Sequence, residues 1–242
     1  MVMVSHRHEF IVLKTRKTAG TSVEMLLEPL CRPPGAVVTE RTPTRRSSEG
    51  IVGRRLMPRR WFDRFLPGAD WYNHMTAERV RAALGTRRWS CYRKVTTLRN
   101  PFDVAVSRYH WELMRHGLPE EADFDRTRAR FREMALSGRF DCDHKVVHLD
   151  GRFVPDLVVR YESLEDDARR VAEALAPGRG PWVLPHTKRT SDRRRRPVGD
   201  YYDAASAAAI RRSAAWVFER MGYPDEPAST ARPDPTRDAT RS

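Results

Sequence analysis

Cysteine is scarce in this 242-residue chain, with only Cys31, Cys91 and Cys142. They are odd in number and widely separated, and they form no CxxC pair. That excludes a disulfide scaffold and argues against a structural zinc site. No apolar run approaches the ~18–20 residues of a membrane span. Residues 1–10 hold no apolar stretch followed by a small-residue cleavage site, so a secretory leader is not expected. A reducing cytoplasm is the expected location. Neither GxxxxGK[ST] nor HExxH occurs, and no carboxylate cluster suggests a catalytic metal. No internal repeat is present. Lysine is also rare. Only residues 14, 17, 94, 145 and 188 are lysine among 45 Lys+Arg, so arginine supplies forty. Such a bias can reflect genomic base composition, so the net charge of +13 argues for an anionic ligand more than for nucleic acid.

A core is affordable, with 40% hydrophobic residues including Trp 6, Tyr 7 and Phe 9. Residues 9–13 (EFIVL) form a short apolar, β-branched run and predict a buried strand. A polar, small-residue loop follows, Lys14-Thr-Arg-Lys-Thr-Ala-Gly-Thr-Ser22, then a helical pattern at 23–27. That is the opening of a βα unit. Residues 36–39 read as a second strand. Residues 41–60 carry seven arginines among Thr, Pro, Ser and Gly and read as a long, mobile, basic loop. Residues 61–66 suggest one or two helical turns. Thr76 is a candidate N-cap for a helix over 77–84 ending at Gly85.

Residues 92–98 read as a strand running into Arg99-Asn-Pro101, with Pro101 opening a helix. A charged helix is expected within 119–138, and a hairpin over 145–154 turning at Asp150-Gly151. A strand at 156–161, a helix at 164–175, a loop at 178–198 and a helix at 203–221 complete the pattern. The last has an apolar face of Ala207, Ile210, Ala214, Val217, Phe218 and Met221. The tail from 224 to 242 is expected to be disordered. Alternating strands and helices predict an α/β fold whose central, mostly parallel sheet is flanked by helices. Residues 1–223 are expected to form a single domain.

Two segments carry chemistry. Lys17-Thr18-Ala19-Gly20-Thr21-Ser22, between strand and helix, is an anion cradle. Small residues let backbone N–H groups approach oxygens, the helix start is partially positive, Lys17 adds a full charge, and two hydroxyls can donate. The bland alternative is a βα turn with a surface lysine. The second segment is Thr97-Leu-Arg-Asn-Pro-Phe-Asp-Val-Ala-Val-Ser-Arg-Tyr109. Arg99 at a strand end can grip a phosphate bidentately, and Ser107 on the following helix can add a donor. The bland alternative is an Arg99–Asp103 pair stabilising the helix start.

Together these segments resemble the sulfotransferases that use 3′-phosphoadenosine 5′-phosphosulfate (PAPS), in particular their carbohydrate-type branch. Two later stretches agree: Val159-Arg-Tyr-Glu-Ser-Leu-Glu-Asp-Asp167, and a C-terminal section with Asp200-Tyr-Tyr-Asp203 and Met221-Gly-Tyr223. Arg16 stands where the family usually has proline. The resemblance spans about residues 9–223 and implies a P-loop-NTPase-like sulfotransferase architecture. It also implies PAPS as donor, adenosine 3′,5′-bisphosphate as product, a sugar or small-molecule hydroxyl as acceptor, and no metal. Residues 17–22 would bind the 5′-phosphosulfate, with Lys17 catalytic, while Arg99 and Ser107 would bind the 3′-phosphate. Lys188 and Arg189, beside the 193–196 arginine run, lie where the family closes a loop over the nucleotide. The same resemblance points to His74 as general base, because its carbohydrate enzymes place a histidine between the two cofactor segments. His110, Glu112 and Glu40 are rival bases. The other readings are a nucleotide kinase of related fold and a non-enzymatic, basic polyanion- or nucleic-acid-binding protein. No membrane span or nucleic-acid partner is expected.

Overall fold

The computed structural model describes residues 2–39, 44–53, 71–117, 123–185 and 196–228. Expectations for residues 61–66, for Glu40, Lys188 and Arg189, for 193–195 and for most of the C-terminal tail lie outside them. The chain clusters into two compact units interleaved in sequence. The first comprises 1–15, 19–98 and 143–187, and the second 16–18, 99–142 and 188–242.

The first unit carries a six-stranded mixed sheet flanked by helices. Its strands are β1 (Val2–Ser5), β2 (Phe10–Leu13), β3 (Arg45–Arg46), β4 (Gly50–Gly53), β5 (Arg93–Leu98) and β8 (Leu157–Arg160), in the order β3-β4-β1-β2-β5-β8. The half that carries the motifs is parallel: β2 pairs with β5, and β5 with β8. The other half is antiparallel, running β3, β4, β1, β2. Period-2 alternation splits the strands between two faces. Met3, Phe10, Val12, Val95 and Val159 share a core with Val23, Leu26 and Leu27 of α1 (Gly20–Leu27) and with Leu164, Ala168 and Val171 of α7 (Leu164–Leu175).

Several sequence expectations are met to the residue. Helix α2 (Ala77–Leu84) starts at Thr76, whose side chain accepts from the Arg79 N–H, and stops at Gly85. A short helix that the sequence pattern did not signal, α3 (Thr86–Cys91), leads into β5. Helix α7 keeps the expected bounds. The 145–154 hairpin is shorter than expected. Residues 144–147 form one helical turn, α6 (His144–Val147), before β6 (His148–Leu149) pairs with β7 (Arg152–Phe153). Its tip is as expected: Asp150 and Gly151 both have positive φ, as a type I′ turn demands.

Two expectations about the sheet are corrected. Residues 36–39 form no strand. Instead, the stretch read as a mobile loop supplies β3 and β4, which extend the sheet beyond β1. Glycines at both ends of β4 disguised it, and close packing requires them. A Cβ on Gly50 would lie 2.1 Å from the Val4 carbonyl oxygen, and one on Gly53 3.0–3.2 Å from Trp71.

The second unit is helical: α4 (Pro101–Arg115), α5 (Phe124–Leu136), α8 (Ala204–Ser213) and α9 (Ala215–Met221). Pro101 opens α4, and the Asn100 side chain accepts from the Phe102 N–H. The expected 203–221 helix is two helices, broken at Ala214 (φ −119°, ψ 20°). Its apolar face survives the break, with Ile210, Ala214, Val217, Phe218 and Met221 buried. Edge-to-face rings hold this unit together: Phe131–Tyr202 at 4.8 Å, and Phe102–Tyr202 and Phe102–Phe218 at 5.1 Å. The buried Tyr202 hydroxyl donates to the Phe102 carbonyl at 2.9 Å. Burial, then the nearby Asp103, pushes that phenol well above its ordinary pKa.

Candidate functional site

The loop from β2 to α1 supplies residues to both units. In the first, Gly20 opens α1 and is preceded by Ala19 in the left-handed region (φ 57°, ψ 19°). In the second, Lys17 is also left-handed (φ 64°). A non-glycine residue in this region costs about 1–3 kcal/mol and persists only where its surroundings impose it, typically at ligand sites. Such excursions turn successive N–H groups toward one side, as in anion-binding nests.

Lys17 is half-buried and Arg16 exposed, while Thr18 and Ser22 are only 3% exposed. The strand-side end of the loop is pinned from within the first unit. The Thr15 hydroxyl donates to the Thr97 carbonyl at 2.6 Å, and the Thr96 hydroxyl to the Leu13 carbonyl at 2.7 Å. These bonds tie the loop's root to β5, the strand that leads to Arg99.

Within the second unit the two sequence segments meet. Arg99, 3% exposed, donates from one terminal nitrogen to the Lys17 backbone carbonyl at 3.3 Å. Its other terminal nitrogen lies 3.3 Å from Asp103 Oδ1, in the first turn of α4. The Arg99–Asp103 pair is therefore real, and the same guanidinium also braces the loop. Ser107 lies further along α4, half-buried.

His74 lies in the first unit, two residues before the Thr76 cap. It too is left-handed (φ 57°) and half-buried. Its Nδ1 is 3.0 Å from the backbone oxygen of Lys14. A carbonyl oxygen only accepts, so Nδ1 carries the proton and the neutral ring's basic lone pair is on Nε2. Sequence reasoning named His74 without any access to this tie.

The rival bases occupy other environments. His110 Nε2 is 2.9 Å from the Tyr201 hydroxyl, and the two rings meet edge to face. Glu112 is paired with Arg108 at 2.9 Å on the surface of α4. Of the 193–196 arginine run only Arg196 is described, its guanidinium 4.2 Å from the centre of the Phe124 ring. Sequence reasoning also missed Lys14 and Glu24, which form an ion pair of 2.6 Å.

Among the described residues no group of three or more His, Cys, Asp or Glu could hold a metal ion. An open hollow beside α7, lined by Asp166, Arg169, Arg170, Glu173 and Trp182, touches the 159–167 stretch only at Asp166 and includes no residue of the 17–22 or 97–109 segments. No helix of the described residues is long and apolar enough to cross a membrane. Comparison with protein-family models, with curated proteins and with solved structures finds no match.

Proposed function

We propose that the chain is a sulfotransferase that moves the sulfuryl group of PAPS to a hydroxyl of a sugar or small metabolite. The observation that carries this reading is the Arg99 to Lys17 contact. It joins two segments 82 residues apart, each read independently as an anion binder. The donor set fits a nucleotide with two separate anionic groups: cations, small-residue backbone and hydroxyls. The one buried carboxylate of α1's first turns, Glu24, is neutralised by Lys14.

In this reading residues 17–22 hold the 5′-phosphosulfate, while Arg99 and Ser107 serve the 3′-phosphate. Lys188 and Arg189 keep the loop-closing role that the resemblance implies. The acceptor oxygen attacks sulfur, an O–S bond forms, and the bond from sulfur to the 5′-phosphate oxygen breaks in line. Charge grows on the departing phosphate oxygen, where the Lys17 ammonium stabilises it. The acceptor proton passes to Nε2 of His74, while Nδ1–H stays on the Lys14 carbonyl and keeps the ring in place. As in phosphoryl transfer, positioning and electrostatics supply most of the acceleration.

The test is transfer of label from sulfuryl-labelled PAPS to a panel of hydroxyl acceptors, with adenosine 3′,5′-bisphosphate released in equal amount. Label transferred from ATP and not from PAPS would instead identify a kinase.

A further inference from the structure

Glu24 is a charged side chain 1% exposed inside α1, and neither sequence motif uses it. Its carboxylate meets the Lys14 ammonium at 2.6 Å. The same ammonium donates to the Thr21 hydroxyl at 3.1 Å. Lys14 leaves the end of β2 and lays its stem along Gly20. A Cβ at Gly20 would sit 3.0 Å from Lys14 Cγ and 3.1 Å from Cε. Gly20 has no positive φ, so what it offers here is room for that stem and not backbone freedom.

The chemistry of these groups is directional. An ammonium only donates, whereas a hydroxyl has one hydrogen and two lone pairs. Thr21 Oγ1 therefore accepts from Lys14 and keeps its own hydrogen for another acceptor. A bare Glu24 carboxylate would also repel an anion at the start of α1. Lys14 cancels that charge at close range.

We propose that Lys14 is a positioning residue of the donor site: it fixes Thr21 as a hydroxyl donor toward the 5′-phosphosulfate and neutralises Glu24 behind it. This rests on the sulfotransferase reading above. Lys17 serves the reacting group, whereas Lys14 acts through Thr21 and Glu24.

The test is a double-mutant cycle read by calorimetry with adenosine 3′,5′-bisphosphate, whose 5′-phosphate occupies the same subsite. Lys14→Met and Glu24→Gln are combined so that no buried charge is left alone. Thr21→Val is made in the wild-type protein and in that background. A hydrogen bond to a charged group predicts that Thr21→Val weakens wild-type binding roughly tenfold or more. In the Lys14→Met/Glu24→Gln protein the same change should cost less than about threefold, because the hydroxyl is no longer held. Thr21→Ser, which keeps the hydroxyl, should bind like wild type. Equal losses from Thr21→Val in both backgrounds overturn the proposal, as does a Thr21→Ser loss as large as that of Thr21→Val. A Thr21→Ser loss as large as that of Thr21→Val overturns the proposal even if the double variant does not fold. A wild-type protein that binds no adenosine 3′,5′-bisphosphate overturns the sulfotransferase reading and this inference together. Binding with additive losses overturns this inference alone.

Discussion

His74 Nδ1 donates to the backbone carbonyl of Lys14 across 3.0 Å, linking the segment before α2 to the root of the β2–α1 loop. This bond separates two roles that an alanine substitution would merge. Asparagine at 74 retains a side-chain N–H near the Nδ1 position but offers no basic nitrogen. His74→Asn should therefore fold and bind adenosine 3′,5′-bisphosphate like wild type, while turnover falls by roughly 10²–10⁴. Loss of nucleotide binding in His74→Asn would make the residue structural.

Lys17→Ala should lower the rate by ~10²–10³, the usual cost of losing one preorganised group facing a developing charge. Donor affinity should fall less than the rate, because the added charge appears only as the S–O bond breaks. A folded Lys17→Ala protein with near-normal turnover would contradict the assignment.

Arg99 is buried against Asp103, so a single alanine substitution mixes two effects. Arg99→Ala deprives a buried carboxylate of its guanidinium and should cost several kcal/mol, within the ~3–5 kcal/mol typical of broken buried pairs. Adding Asp103→Asn should recover much of that stability. It should not recover the preference for adenosine 3′,5′-bisphosphate over adenosine 5′-monophosphate if Arg99 serves the 3′-phosphate. Thermal melts and calorimetry on both variants separate packing from recognition.

Asp203 caps α8 and gives an acid-stability prediction. The Ser206 hydroxyl, then the Ser206 backbone N–H and Arg132, hold its carboxyl well below the usual carboxylate range. A carboxyl depressed in the fold contributes stability that is complete above its unfolded value near ~3.9 and is lost as pH falls toward the folded value. Asp203→Ala should thus cost about 1 kcal/mol at neutral pH, the usual worth of an N-cap. The gap between variant and wild-type melting temperatures should narrow steadily below about pH 4. An unchanged gap at low pH would contradict this account.

The parts of the fold that were legible had local grammar. Thr76 and Gly85 bracket α2, Leu164–Leu175 has helical periodicity, and Asp150-Gly151 encodes its turn. Strand β1 is four residues at the chain start, too short for alternation to register. Strand β4 begins and ends in glycine, a turn signal whose true cause, contact with Val4 and Trp71, is tertiary. The break at Ala214 is silent, since alanine is the best helix former. At the site, Lys17 and Arg99 were visible because each lies on a strand-to-helix turn. The Lys14–Glu24 pair was not, because ten residues and a change of element separate its members. His74 was named through the resemblance alone, and its carbonyl partner lies 60 residues away.

The most direct measurement is calorimetric titration of the wild-type protein with adenosine 3′,5′-bisphosphate in moderate salt, without and with magnesium, beside ATP and adenosine 5′-monophosphate. The account predicts saturable binding of the 3′,5′-bisphosphate that needs no magnesium, survives added salt, and is tighter than that of the monophosphate. Preference for magnesium-bound ATP would contradict it in favour of a kinase. Binding of all three ligands alike, erased by salt, would contradict it in favour of a non-enzymatic polyanion binder.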